Sequence, residues 1–198
     1  MSISQEIIDR FNSTMDSARA AGELEPTAMV LATSDGHGVV TSRTVLLKAV
    51  DSRGFVFYTN KNSRKGQQLH ASPRAAATFL WKTIQCQVQI VGSVKEVSDK
   101  EADQYFSTRD RGSQIGAWAS LQSQPLDSRE TLEKKCLELE AVYQGREVPR
   151  PPHWSGFRIV PEVVEFWHGQ SFRLHDRFRY SKEASGQPDV WTLQRLYP

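Results

Sequence analysis

Between residues 28 and 97 the apolar side chains fall into short runs separated by tight turns. Residues 28–33 form one run, closed by Ser34-Asp35-Gly36-His37-Gly38. Residues 39–50 form a longer one that ends at Asp51-Ser52-Arg53-Gly54, and residues 55–59, 75–81 and 84–97 continue the series. Connections this short join neighbouring antiparallel strands, so the segment reads as a β-meander. It is flanked by helical spacing. Ile3, Ile7, Phe11 and Met15 recur every four residues with Ile8 beside them, which predicts a helix closed by Ala20-Ala21-Gly22 and packed on the core or on a partner chain. A short helix is expected over residues 63–70 with Ser63 as its N-cap. Helix formers dominate residues 100–107, 113–120 and 127–143, a proline-rich connector follows at 149–152, and strand character returns at 157–167, 172–180 and 190–196. Strands first, helices inserted and strands last make an α+β fold built on a barrel or curled sheet.

Charge and motif content narrow the function. With 25 Lys and Arg against 23 Asp and Glu, the net charge of +2 is weak for a dedicated nucleic-acid binder. No apolar stretch approaches membrane-spanning length, and the first residues lack the basic and apolar regions of a signal peptide. Cys86 and Cys136 are far apart and outside any CxxC pattern, so free thiols in a reducing cytoplasm are expected. There is no P-loop, HExxH or GxSxG, and the five histidines lack metal-ligand spacing. Gly36-His37-Gly38 lacks a third glycine and lies between two strands, which excludes a dinucleotide fingerprint.

Several groups of residues have chemistry of their own. Arg173, His175 and Arg177 alternate with Leu174 and Asp176, and on a strand they would share one face, either turned to an anion or ring, or solvated as a charged edge. Arg64-Lys65 falls at the expected start of a helix, where cations oppose the dipole unless an external anion relieves them. Tyr105, Arg109 and Ser113 are spaced by four and are good phosphate donors, although Asp110 and Gly112 threaten the continuity of a shared helix face. Arg43 and Lys48 fall in one apparent strand at an odd separation, which puts them on opposite faces unless a bulge intervenes. Trp81 and Trp167 could stack on a ring system or belong to the core.

Taken in order, these pieces resemble the pyridoxamine 5′-phosphate oxidase family from about residue 28 to the C-terminus. The resemblance is carried by Arg43-Thr44-Val45-Leu46-Leu47-Lys48, Phe57-Tyr58-Thr59-Asn60, Ser63-Arg64-Lys65 and Gln87-Val88. It continues through Tyr105-Phe106-Ser107-Thr108-Arg109, Ser113-Gln114-Ile115-Gly116-Ala117, Gln122-Ser123, Glu165-Phe166-Trp167, Arg173-Leu174-His175-Asp176-Arg177 and Arg195-Leu196-Tyr197-Pro198. It implies one FMN-binding split β-barrel domain over residues 1–198, with an N-terminal helix at 1–22 and a C-terminal segment, 150–198, completing barrel and active site. It implies a homodimer with FMN at the subunit interface, and neither nucleic acid nor membrane as a partner. The FMN positions are Arg43, Thr44, Val45, Leu46, Leu47, Lys48, Tyr58, Thr59, Arg64, Lys65, Gln87, Gln122, Ser123, Trp167 and Arg177. Lys48, Tyr105, Arg109 and Ser113 would surround the substrate phosphate. Arg173 and His175, the catalytic positions, would hold the pyridine ring against the flavin, and no side chain is expected to be an indispensable general base.

The implied reaction takes a hydride equivalent from C4′ of pyridoxamine or pyridoxine 5′-phosphate to FMN. O2 reoxidises the flavin and yields H2O2, and water hydrolyses the imine of the amine substrate to pyridoxal 5′-phosphate. Cys86 and Gln124 depart from the family's usual arginine and serine, and the N-terminus leaves little room for the basic extension that many members carry over the active site. Two other readings share the fold: a phenazine-pathway FMN oxidase, to which a phosphate cation at Lys48 is of little use, and a non-catalytic FMN or pyridoxal-phosphate carrier.

Overall fold

The computed structural model describes residues 2–183 and 190–198; Met1 therefore lies outside the described part of the expected N-terminal helix. Helix α1, Gln5–Ala20, is capped by Ser4, whose hydroxyl accepts from Ile7 N. Its apolar stripe faces the core: Phe11 lies edge-on to Phe55 and Phe79, each at 5.1 Å. Of the two packings expected, the core is the one this chain makes.

Strands β1 (Ala28–Ser34), β2 (Val40–Leu46), β3 (Ala49–Asp51) and β4 (Gly54–Asn60) come next. Helix α2 (Arg64–Ala71) leads to β5 (Arg74–Trp81) and β6 (Cys86–Glu96). Helices α3 (Asp99–Ser107), α4 (Arg111–Ala119) and α5 (Arg129–Val142) precede β7 (Trp154–His168), β8 (Asp176–Lys182) and β9 (Trp191–Leu196). The strands pair antiparallel in the order β2-β1-β5-β6-β7-β4-β3, with β8 on β7 and β9 on β8.

This order forces the sheet to curl. β2 and β3 lie at opposite edges of the path, yet only Leu47 and Lys48 separate them in sequence. The edges must therefore come together, and the gap between β2 and β4 is a seam without a hydrogen-bonded ladder. The expected single strand over residues 39–50 is thus two strands. Leu47 N donates to Thr27 O and Lys48 N to Val56 O, so consecutive residues serve opposite edges. Leu47 turns into the core and Lys48 outward.

β7 is the spine of the sheet. Its first half pairs with β4 and its second with β8 on the same side, while β6 runs along the other. A bulge opposite Val91 and Gly92 bends it, and a Cβ at Gly92 would lie 2.1 Å from Val160 O, so only glycine fits beneath the bend. Trp81 is fully buried against Phe11 and Phe79, which settles it as a core residue.

The expected strand over residues 172–180 begins only at Asp176. Residues 171–173 form a short helical turn in which Phe172 (φ 57°) and Arg173 (φ 62°) are left-handed. Gly169 N is drawn back to Gln85 O and Gln170 N donates to His175 Nδ1, so the chain loops before it enters β8. Arg173, His175 and Arg177 therefore do not alternate along one strand face. Nor do Tyr105, Arg109 and Ser113 share a continuous helix. α3 stops at Ser107, and Asp110 restarts the chain as the N-cap of α4, accepting from Ser113 N at 2.8 Å.

Candidate active site

A cavity of about 420 Å³ opens at the seam. Thr44, Val45, Leu46 and Lys48 line one side, Tyr58, Thr59, Asn60 and Lys65 another, and Arg109, Ser113, Gly116 and Gln122 complete it with Trp154. Three cations line it and no carboxylate does. Lys65 is held by neutral acceptors alone: Nζ donates to Gln122 Oε1 at 3.0 Å and Thr59 Oγ1 at 3.2 Å. Burial, and then the charge of Arg43, push its pKa down to about 8.

Arg43 lies behind this cation. Its Nη1 donates to Thr33 Oγ1 at 2.6 Å and Leu31 O at 3.2 Å, and its Nη2 donates to Thr41 Oγ1. Burial and the charge of Arg64 lower its pKa. The buried amide of Gln68 gathers Thr33 and Thr41 by accepting from both hydroxyls at 2.6 and 2.7 Å. Arg64 itself is exposed at the first turn of α2, whose N-cap Ser63 accepts from Gly66 N. Mutually repelling cations at a helix N-terminus, without an acid among them, suit a phosphate dianion.

Another part of the lining comes from the start of α4 and the residues just before it. Arg109 and Ser113 supply it, and Arg109 Nη1 is buried without a hydrogen-bond partner. Burial lowers the Arg109 pKa. Beside Arg109 stands an aromatic tier. Tyr58 stacks on Tyr105 at 4.0 Å and on Trp154 at 5.1 Å, with planes within 11°. Tyr105 supports the tier from outside the cavity lining. Gly156 makes the tier possible, because a Cβ there would lie 2.7 Å from the Tyr58 ring. Burial raises the Tyr58 pKa to about 12, so its phenol stays neutral.

The remaining expected residues lie elsewhere on the chain. Gln87, Trp167 and Arg177 sit in register across β6, β7 and β8. The His175 ring lies 4.6 Å from that of Trp167, and because Nδ1 accepts from Gln170 N, neutral His175 carries its proton on Nε2. Arg177 is paired with the buried Glu165 at 2.8 Å. Arg173 is exposed, as is Phe172, and two successive left-handed residues without glycine mark a strained loop. Ser123 is left-handed too and lies outside the cavity lining, in the α4–α5 connection. One chain therefore carries two separate groups of expected site residues. Trp154, Asn60 and Gln68 were not anticipated. For Gln68 a signal existed, since it lies one helical turn from Arg64 on α2.

Comparison with known proteins matches the chain in two parts. Residues 15–143 match the pyridoxamine 5′-phosphate oxidase family, and residues 154–198 match the pyridoxine 5′-phosphate oxidase C-terminal dimerisation region. The pyridoxine/pyridoxamine 5′-phosphate oxidase of Myxococcus xanthus (strain DK1622) is 53% identical over 191 residues, 96% of this chain and 91% of that protein. The enzyme of the same name from Xylella fastidiosa (strain Temecula1) is 49% identical over 196 residues, 98% of this chain and 93% of that one. Among solved structures, PhzG from Burkholderia lata 383, in complex with tetrahydrophenazine-1-carboxylic acid, superposes with a TM-score of 0.89 at 33% identity, covering 100% of this chain and 94% of that one. A pyridoxamine 5′-phosphate oxidase-related FMN-binding protein from Nostoc punctiforme shares the fold, with a TM-score of 0.76 at 13% identity, covering 100% of both chains.

Proposed function

Because this chain belongs to the pyridoxamine 5′-phosphate oxidase family, we propose that it converts pyridoxamine or pyridoxine 5′-phosphate and O2 to pyridoxal 5′-phosphate and H2O2 with FMN. The observation that carries this reading is the seam cavity, lined by Lys48, Lys65 and Arg109 and by no acid. A phosphorylated cofactor and a phosphorylated substrate each need a cationic anchor, and the lining offers two: Lys65, held by Thr59 and Gln122, and Arg109, held against Trp154. When bound, FMN supplies the electron acceptance from C4′ and the onward transfer to O2. Lys65, Arg64 and Arg43 would hold its phosphate, with Thr59 and Gln122 keeping Lys65 in place. Arg109, Ser113 and Lys48 would bind and orient the substrate phosphate. The apolar Val45 and Leu46 walls exclude water from the space between.

The C-terminal match is to a dimerisation region, and the chain forms a homodimer. The row of Gln87, Trp167 and Arg177, with Arg173 and His175 on the loop beside it, would complete the cavity of the second protomer. In that place Arg173 binds and orients the ring, and His175 offers its Nε2–H as a donor. No helix among the described residues is long and apolar enough to cross a membrane. Two free cysteines, one of them buried, fit a reducing cytoplasm.

The phenazine-type reading has the PhzG likeness in its favour, but the anchor of Arg109, Ser113 and Lys48 would be idle on an unphosphorylated tricyclic substrate. Reconstituting the protein with FMN and adding pyridoxamine 5′-phosphate anaerobically tests the proposal. The flavin absorbance should bleach, and return with one equivalent of H2O2 on admitting air. Bleaching by a phosphate-free tricycle alone would favour the phenazine reading, and a flavin that stays oxidised with every donor would favour the carrier.

A further inference from the structure

Arg109 is held unlike the other arginines around it. Arg111 donates to Glu140 at 2.5 Å, and Arg150 donates to Asp99 and Asp103 at 2.7 and 2.5 Å. Among the described residues Arg109 makes no ion pair with an acid. Its guanidinium carbon lies 4.9 Å from the centre of the Trp154 ring and 5.8 Å from that of Phe106. The choice of partner matters. A carboxylate would neutralise the cation and occupy its N–H donors, whereas an aromatic face attracts the cation and leaves those donors free. The unsatisfied Nη1 is what such an arrangement leaves.

Trp154 is built to hold still. It is buried, stacked on Tyr58 within 6° of parallel and packed edge-on against Phe106 at 5.1 Å. Its carbonyl accepts from Arg150 Nη1 at 2.7 Å, and Arg150 is in turn clamped to α3 by Asp99 and Asp103. Trp154 and Arg109 line the same cavity.

We propose that Trp154 is a positioning residue for the substrate phosphate: its ring fixes the Arg109 guanidinium while leaving the donors to the ligand. The proposal takes the identity of the phosphorylated ligand from the oxidase reading.

Its test compares wild type, Trp154→Leu and Trp154→Phe as FMN-loaded protein, each with and without Arg109→Ala. Trp154→Leu should raise KM for pyridoxine 5′-phosphate roughly tenfold with kcat within about twofold. Trp154→Phe, which keeps a ring face, should recover most of that loss. Calorimetric affinity for pyridoxal 5′-phosphate should weaken in parallel with KM. In the Arg109→Ala background, Trp154→Leu should add little, because the group it positions is gone. Additive losses, an unchanged KM in Trp154→Leu, or a phenylalanine variant as poor as leucine would each overturn the proposal. If Trp154→Leu melts early, Trp154→Met, apolar and long but without a ring, takes its place in the two Arg109 backgrounds with the same expected outcomes. The calorimetric arm keeps the two readings apart: tight pyridoxal 5′-phosphate binding that Trp154→Leu weakens, without turnover in any variant, would overturn the oxidase reading and leave the role of Trp154 standing.

Discussion

Lys65 Nζ rests on two neutral oxygens and feels the charge of Arg43, and its pKa of about 8 is a property of the ligand-free fold. The sign of the consequence follows. The depressed pKa means that the fold disfavours the ammonium, so ligand-free stability rises as pH climbs from about 8 towards the unfolded value of 10.5. Phosphate binding runs the other way, since it needs the ammonium. FMN affinity, followed by flavin fluorescence between pH 7 and 9.5, should fall as pH rises through about 8. Lys65→Met should weaken binding at pH 7 by about 1.5–3 kcal/mol and remove that inflection. Arg109→Ala should raise the substrate KM on the order of tenfold or more in steady-state assays, as expected for a lost charge-assisted contact. Much of this scale was legible in the sequence. Lys65 stood out because cations in a first helical turn contradict the dipole. Trp154 gave no such signal, because stacking on Tyr58 and Arg109 depends on residues from β4 and the α3–α4 junction that no spacing brings together.

At the scale of the element, the position of α2 depends on one hydroxyl. Ser63 Oγ donates to Asn60 O at 2.6 Å and accepts from Gly66 N, in full burial. Ser63→Ala should cost about 1–2 kcal/mol in urea unfolding and loosen FMN together with the helix that presents Arg64 and Lys65. A second junction ties α3 to the sheet: Arg158 of β7 donates to Asp51 at 2.7 Å and Glu101 at 2.5 Å from a buried position. Arg158→Leu should destabilise by about 1.5–3 kcal/mol in the same measurement, because both carboxylates lose their buried partner and keep only the exposed Arg53, 2.6 Å from Asp51 and 3.7 Å from Glu101. Elements were readable from periodicity, and so was the break at Asp110, but the interruptions of the strands were not. The break at Leu47-Lys48 comes from hydrogen bonds to Thr27 and Val56, and the loop before β8 from a bond to Gln85. Each contact is distant in sequence, so the local pattern continued as strand where the chain had turned.

At the scale of the molecule, the two separated groups of site residues call for a second copy. Lys65→Met and Arg173→Ala proteins, each inactive or nearly so, should regain activity when mixed, dissociated and reassociated. In the mixed dimer one cavity would draw an intact Lys65 from one protomer and an intact Arg173 from the other. Activity that stays at the sum of the separate variants would place the whole site within one chain. The curled-sheet architecture was legible from strands enclosing inserted helices; which edges meet was not, because it rests on the two-residue link between β2 and β3.

That unladdered gap also bears on how long a molecule survives. Strand edges without a hydrogen-bonded neighbour open at lower free energy than the rest of a sheet, and an opened edge is what a protease grips. The cavity lies in this gap, so whatever fills it stabilises the closed form in proportion to the logarithm of its concentration over Kd. Limited digestion of the FMN-free chain should therefore begin near residues 44–48, and saturation with FMN should slow it. Vitamin supply would then set the standing amount of the protein as well as its rate.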